Sequence, residues 1–565
     1  SFDCTSMSAS YPVSSKEIIL KFARSLFLAI LIFLPLFAIA QDHQTWTYNL
    51  GIYEVNVRQY TQAGTFAAFS EHLDRLQDMG VGILWFMPIH PIGQKNRLGS
   101  LGSYYSVQNY LDINPEFGTL EDFEALVQVI HDRGMYVIID WVANHTSWDN
   151  VLTTEHPEWY VTDADGNFIP PPGTNWSDVI ELDYSQQGLR DYMINAMKFW
   201  VDEIGVDGFR CDAVSFVPND FWQEAITQLK ALKPDIFMLA EGDGQQWQTL
   251  GFDMTHAWEL YGFGNGVLKR IADGSNNAGH LNNFMTREQN NYAEHYRMYF
   301  TANHDENSWH GTTTELFGDA AQVFAVLTTT LKDMPLIYSG QEAGLDKRLQ
   351  FFDKDQIIWR EHPNAALYTK LLHLKRENQA LWNGANGRPL QRVLTSDQDD
   401  IFAFIREREN DRVLVIANLS AQEKNITFNG NTFVGCYDDI FSEDSVVLQD
   451  SATITLPAWG YKVYDGEANT GMLDQSSPTG FKLYQNHPNP FNAGTTISFA
   501  LATPANVDMT LFNVKGTTIR LLLGGEHSAG THSVTLNATD LPSGIYFYRI
   551  QAGKYMATKP LLLLR

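Results

Sequence analysis

The chain is predicted to fold as a closed (β/α)8 barrel followed by all-β domains, and three observations carry the prediction. From Tyr48 to about Ile357, short apolar runs alternate with amphipathic stretches, the order of parallel strands joined by crossover helices. Eight such units fit in this span, and a barrel of this kind takes about 250 residues or more. After Arg376 the apolar period changes to two, the period of antiparallel strands.

The candidate barrel strands, in order, are "IYEVNV", "VGILWFM", "YVIIDWV", "VDGFRCD", "IFMLAEG", "DMTHAWE", "MYFTANHD" and "MPLIYSG". Between them, "TLEDFEALVQVIHDRG" has a Thr cap, early acids and a closing glycine, and "LRDYMINAMKFWVDEIG" repeats the helical apolar period. One connection breaks the alternation. Residues 146–182 are long, rich in Pro and Gly and without helical period, which predicts a small subdomain inserted in the barrel, itself assigned to 41–378. Residues 379–465 are expected to form a β-sandwich from runs such as "IFAFIRERE", "RVLVIANLS", "NITFNG", "SVVLQD" and "TITLPAWGYKVYD". A polar linker at 466–480 then leads to a second, immunoglobulin-like β-sandwich at 481–565.

The first 40 residues stand apart. Lys16, Lys21 and Arg24 precede the apolar run "SLFLAILIFLPLFAIA", which ends in Ala38-Ile39-Ala40, the small-residue pattern of a signal-peptidase site. The run is short for a membrane span of about 20 residues, contains Pro35 and is followed by polar "QDHQTW", so an export signal is expected and no transmembrane anchor in the mature chain. Met7 is the expected start, with "SFDCTS" before it extraneous. Beyond residue 40 only Cys211 and Cys436 remain, too few for a disulfide framework or a cysteine metal cluster. A formal charge of −27 excludes nucleic-acid phosphate as a natural partner and favours a neutral or cationic ligand; a monomer is expected.

Polar residues at the C-terminal ends of barrel strands mark the open face of such a barrel. Strand three ends in Asp140 and then Asn144-His145, strand four in Arg210 and Asp212, strand five in Glu241, and strand seven in His304-Asp305. Arg210 and Asp212, two apart on a strand, share a face. A buried ion pair is the plain alternative for them, but such a pair stabilises poorly against apolar packing, and structural pairs do not line up at four strand ends.

Two carboxylates flanking a bond are the equipment of glycoside hydrolysis. "DWVANH" (140–145), "GFRCDA" (208–213), "AEG" (240–242) and "NHD" (303–305), in that order, resemble the four motif regions of the α-amylase family of glycoside hydrolases, and "YYSVQNY", "INPEFGT" and "LIYSGQE" resemble further stretches of it. The resemblance covers about residues 46–465. It implies Asp212 as the nucleophile forming a covalent glycosyl intermediate, Glu241 as acid and then base, and Asp305 as stabiliser of the oxocarbenium-like transition state. It also implies that His145 and His304 hydrogen-bond sugar hydroxyls, that Tyr105 stacks on the ring, and that Asp140 orients its neighbours. Arg210 is counted with Tyr105, His145 and His304 as a substrate-binding residue and is expected to keep Asp212 ionised, while neighbouring carboxylates raise Glu241.

Departures from the pattern bear on substrate and metal. "AVSF" follows the nucleophile where many α-amylases carry a Lys-His pair, which removes a sugar contact and a calcium-binding carbonyl. Asn144 and Glu181 match positions that bind calcium in family members, so calcium is the implied metal at those two residues. Ala213 favours α-1,4 over α-1,6 bonds, and starch, glycogen or maltooligosaccharides are the expected α-glucan substrates. Cyclomaltodextrinase-like or neopullulanase-like hydrolysis and α-glucan transglycosylation use the same residues and stay open; a surface glycan-binding protein is the alternative outside enzymes. The terminal stretches "LYQNHPNPFN", "LFNVKGTTIR" and "LPSGIYFYRIQAGKY" resemble a sorting domain of the type IX secretion system. That implies the secretion machinery as a partner, and a secreted or cell-surface protein of a Bacteroidetes-like bacterium.

Overall fold

The structure, a computed structural model, describes residues 43–468 and 481–564 except 487, 502, 529 and 554. The expected signal peptide and residues 469–480 of the expected linker lie outside the described residues. The chain divides into two units, Ser1–Ala468 and Asn469–Arg565.

Eight strands close the barrel of the first unit: β1 (Ile52–Val55), β2 (Ile83–Phe86), β3 (Tyr136–Trp141), β4 (Gly208–Cys211), β5 (Phe237–Ala240), β6 (Met254–His256), β7 (Tyr296–Phe300) and β8 (Met334–Tyr338). Each pairs in parallel with its neighbours in sequence, and β1 meets β8 to complete the ring. Helices cover the outside and side chains fill the inside, so the strands are buried almost throughout, which is why they read as continuous apolar runs. Gly208 opens β4 because a Cβ there would stand 2.0 Å from the Phe237 carbonyl oxygen on β5. Only glycine lets the two strands approach that closely.

The helix predicted around "TLEDFEALVQVIHDRG" is α1 (Leu120–His131). Thr119 caps it: its hydroxyl accepts from the Asp122 N–H, and the Asp122 carboxylate accepts from the Thr119 N–H. Helix α2 (Gln187–Asp202) buries Leu189, Met193, Met197 and Trp200, one face at helical spacing. The expected insertion begins with a short strand, His145–Ser147, and returns through Val179–Glu181, which pairs antiparallel with it and places Glu181 opposite His145.

One expectation changes in detail. Asp212 lies just past β4 rather than within it, because Ala213 adopts a left-handed conformation (φ 43°) and turns the chain into the 3₁₀ turn Val214–Phe216. A non-glycine residue held there is strained, and such strain concentrates at functional sites.

Beyond the helix Pro363–Glu377, a six-stranded and a three-stranded sheet enclose a second core around Ile401, Ile405, Leu414, Ile416 and Tyr464. Its last strand, Tyr461–Glu467, runs two residues past the expected end, and one of its strands, Gly435–Asp439, has no counterpart in the sequence reading because its burial alternates over only five residues. Buried Arg406 ties this domain to the barrel, donating to the carbonyls of Thr330, Leu331, Trp382 and Arg388. The second unit is a separate all-β body, with a three-stranded and a four-stranded sheet around Ile497, Phe499, Met509, Leu511, Tyr548 and Ile550.

Candidate active site

The C-terminal ends of the strands surround a cleft of about 560 Å³. Tyr105, His145, Asp212, Ala213, Glu241 and Asp305 line it, together with Trp176, Asp178, Trp309, Phe351 and Phe352. At its floor sits the Arg210 guanidinium, 1% exposed. Nη1 donates to Asp140 Oδ1 at 2.8 Å and to Asp212 Oδ1 at 2.9 Å, while Nη2 pairs with Glu241 Oε1 at 2.8 Å. The strand register explains the convergence: Arg210 on β4 is the direct neighbour of Asp140 on β3, and Glu241 follows β5 on the other side. The bend at Ala213 completes it, since the Ala213 N–H donates to Glu241 Oε2 at 2.8 Å.

A second group stands beside the first. His304 Nδ1 pairs with Glu54 Oε1 at 2.5 Å, and Nε2 lies 2.8 Å from the Tyr105 hydroxyl and 3.2 Å from Asp305 Oδ2. Tyr105 donates to Asp140 Oδ2 at 3.0 Å, and the Trp85 indole donates to the same oxygen at 3.2 Å. The Tyr105 ring stacks on His304, 5.5 Å between centroids at 20°.

Burial and shared charge set the protonation states. Burial raises Asp140 and Asp212 to about 6 each, with Arg210 holding them lower than burial alone would. Arg210 was expected to keep Asp212 well ionised; it serves three carboxylates at once, so no one of them receives the full effect of its charge. Burial, then Asp212 and Asp305, raise Glu241 to about 7 against the pull of Arg210 and the Ala213 N–H. Burial also acts to raise Asp305, but adjacent His304 brings it below its ordinary value. His304 is raised well above its own, because Asp305 and Glu54 outweigh desolvation. His145, pushed by burial down to about 4, is neutral. The two linked groups therefore hold two cations, Arg210 and His304, among the five carboxyl groups of Glu54, Asp140, Asp212, Glu241 and Asp305.

The structure brings the sequence-selected residues together but in two layers. Tyr105, His145, Asp212, Glu241 and Asp305 face the cleft, whereas Arg210 and His304, expected to touch substrate, lie behind that wall and act on the carboxylates. Glu54 went unselected in the sequence; the signal was a lone acid in the apolar strand "IYEVNV". Trp176, Trp309, Phe351 and Phe352 come from loops without a recognisable motif. Asn144 and Glu181 occupy adjoining segments where the insertion leaves the barrel, and Asn144 Nδ2 is 3.2 Å from His145 Nδ1. Burial and neighbouring Asp183 raise Glu181, an acidic spot that suits a cation. Calcium takes about six oxygens, however, and these side chains supply two donors. Among the described residues no three His, Cys, Asp or Glu side chains group as a metal site.

A parallel barrel with a cleft at its C-terminal face, walled by Asp212, Glu241 and Asp305, has the form of a barrel enzyme and holds the paired carboxyl groups that glycoside cleavage uses. Comparison with known proteins gives the family. The model of the alpha-amylase catalytic domain matches residues 37–177 and 173–412, that of the alpha-amylase SusG C-terminal domain matches 401–460, and that of the secretion system C-terminal sorting domain matches 485–563. Alpha-amylase 3 of Dictyoglomus thermophilum is 25% identical over 68% of this chain and 88% of its own length. The maltogenic alpha-amylase of Bacillus acidopullulyticus is 24% identical over 71% of this chain and 70% of its own. Among solved structures, an alpha-amylase from Lactobacillus plantarum is 31% identical with a TM-score of 0.67, covering 75% of this chain and all of that one. The noncanonic maltogenic alpha-amylase AmyB from Thermotoga neapolitana is 29% identical at the same TM-score, over 74% and 99%. The chain belongs to the alpha-amylase family of glycoside hydrolases and carries a type IX sorting domain at its C-terminus.

Proposed function

We propose that this glycosidase hydrolyses α-1,4-glucosidic bonds of starch, glycogen or maltooligosaccharides with retention of configuration. The observation that carries the reading is the sharing of Arg210 by Asp140, Asp212 and Glu241, with Asp305 on the same cleft. Between pH about 6 and about 7, Asp212 is ionised while Glu241 keeps its proton, the division of labour that two-carboxylate glycoside cleavage needs.

Glu241 gives its proton to the glycosidic oxygen as Asp212 attacks the anomeric carbon from the opposite side. Arg210 occupies Asp212 Oδ1, so the attack falls to Oδ2. The bond to the leaving sugar breaks, a glycosyl ester forms on Asp212, and Asp305, kept ionised by His304, faces the positive charge that develops on the ring. Glu241, now a carboxylate, takes a proton from water, which displaces Asp212 and restores the starting state. Two inversions give an α-anomeric product. In this reading neutral His145 hydrogen-bonds a sugar hydroxyl and Tyr105, on the same cleft wall, is the ring that packs on the sugar.

Product analysis on starch, pullulan, cyclodextrins and maltooligosaccharides tests this reading. α-Anomeric maltooligosaccharides from starch, seen by NMR at early times, support it, and β-anomeric product overturns it. Preferential ring opening of cyclodextrins or net chain transfer would move the chain to the cyclodextrinase-like or transglycosylase alternatives. Calcium at Asn144 and Glu181 would brace the inserted subdomain and supply no chemistry; a lower Tm after exhaustive chelation, restored by calcium, is its test. The sorting domain supports export across the outer membrane to the medium or cell surface.

A further inference from the structure

On the C-terminal side of the barrel, outside the cleft, three aromatic rings lie one above another. His256, the last residue of β6, stacks on Trp258 with centroids 5.1 Å apart at 13°. Trp258 stacks on Phe263, 4.6 Å apart at 13°. The lowest ring is fully buried, the middle one is half-buried with its edge packed by Phe300, and the outermost, Phe263, is 62% exposed.

Nothing in the packing of the barrel calls for a phenylalanine in this position. Phe263 has φ 47° between Gly262 (φ 61°) and Gly264 (φ 70°), three left-handed residues in succession. A bulky residue there is unfavourable. The loop is nevertheless tightly set: the Asn265 N–H donates to the Gly262 carbonyl at 2.8 Å and the Gly266 N–H to the Tyr261 carbonyl at 2.7 Å, and the backbones of Gly262 and Gly266 approach so closely that a Cβ on Gly262 would meet the Gly266 Cα at 2.7 Å. The backbone thus presents a rigid, solvent-facing ring whose inner face is already supported. A bulky residue held in left-handed backbone costs stability, and strain of this kind concentrates at ligand-binding and functional sites.

Its position supplies the occupant. Phe263 lies against His310, 6.3 Å between centroids, and His310 closes the turn Glu306–His310 that directly follows Asp305. On the other side of that turn, Trp309 lines the cleft with Phe351. One short turn, Glu306–His310, therefore carries both a ring of the cleft wall and a ring packed on the platform, which sets Phe263 next to the rim of the cleft. We propose that Phe263, backed by Trp258, is a second binding site for the α-glucan chain, taking the apolar face of a glucose unit several residues from the bond that is cut. Aromatic faces stack on the C–H faces of pyranose rings, and an uncharged polymer suits a protein of net charge −27.

The inference rests on the α-glucan reading above, and the test separates the two. Full-length wild-type and Phe263→Ala proteins are run through native gels with and without glycogen, and KM is measured on amylose and on maltotriose. Phe263→Ala is expected to lose most of the glycogen retardation and to raise the ratio of KM on amylose to KM on maltotriose about three- to tenfold, with Phe263→Trp restoring both. Wild-type retardation and an unchanged KM ratio in Phe263→Ala overturn the platform while leaving the catalytic reading intact. A wild-type protein that is retarded by glycogen but cleaves no α-glucan overturns the catalytic reading and keeps the platform.

Discussion

Two buried arginines on barrel strands make the same kind of contact and serve different ends. Arg210 on β4 turns to the barrel mouth; Arg297 on β7 turns to the helix Ala278–Asn291, donating to Glu288 Oε2 at 2.7 Å, Asp243 Oδ1 at 2.6 Å and the Thr255 hydroxyl at 2.6 Å. Each is 1% exposed and each gathers at least two carboxylates. Arg297 also lies over the Tyr292 ring at 4.1 Å, and its Nε, Nη1 and Nη2 each have a partner, whereas the buried Arg210 Nε has no hydrogen-bond partner among the described residues. The decisive difference is where the carboxylates look. Two of Arg210's three, Asp212 and Glu241, line one cleft and sit at about 6 and about 7; of Arg297's, Glu288 is locked between the barrel and its helix layer, and Asp243, though partly exposed, is not among the residues that line the cleft. Neither burial of a charge pair nor exposure of one partner is therefore a mark of function by itself; what sets Arg210 apart is that its carboxylates converge on one cleft.

The contrast can be broken most sharply at Asp212. Asp212→Asn keeps shape and removes the proposed nucleophile, so kcat on starch is expected to fall on the order of 10⁴-fold or more while circular dichroism and Tm stay near wild type. Wild-type turnover in a verified variant would place the chemistry elsewhere. At the other arginine the effect should be reversed in kind. Arg297→Met strands Glu288 without its cation and is expected to cost about 3–5 kcal/mol, read as a lower denaturation midpoint, with kcat of the folded fraction within about threefold of wild type. Adding Glu288→Leu should recover much of that loss, because the uncompensated charge goes with it.

The pH profile sharpens the same point. The proposed mechanism requires Asp212 deprotonated and Glu241 protonated, so kcat/KM should rise with pH through about 6 and fall through about 7, as a narrow bell whose limbs belong to the coupled set. Glu241→Gln should abolish the alkaline limb along with about 10²–10⁴-fold of the rate. A flat profile between pH 5 and 8 would contradict the shared-arginine account.

The smallest effect is expected from the largest deletion. The site lies wholly within the first unit, so a chain ending at Ala468 should hydrolyse soluble starch within about twofold of the full-length rate. In the native host the same chain should accumulate in the periplasm, because the sorting domain is gone. Export of the truncated chain to the medium would show that residues 485–563 are dispensable for delivery.

Much of this was legible in the linear chain, for a definite reason. Parallel strands buried on both faces must be apolar throughout, so Arg210 in "GFRCDA", Glu241 in "AEG" and Asp305 in "NHD" stand out as interruptions at strand ends, and the alternation of strand and helix runs fixes the barrel without knowledge of any contact. Glu54 interrupts its strand in the same way, but with no flanking motif its partner His304, 250 positions away, could not be inferred. What only the tertiary structure decided is how charge is divided. The register that sets Asp140 beside Arg210, and the left-handed turn at Ala213 that aims an N–H at Glu241, make one guanidinium serve three carboxylates, and burial then lifts Asp212 as well as Glu241. The aromatic lip of Trp176, Trp309 and Phe351, and the platform at Phe263, arise from loops distant in sequence. Their residue types carry no period and no motif, because a loop's position is set by the strands it joins rather than by its own composition.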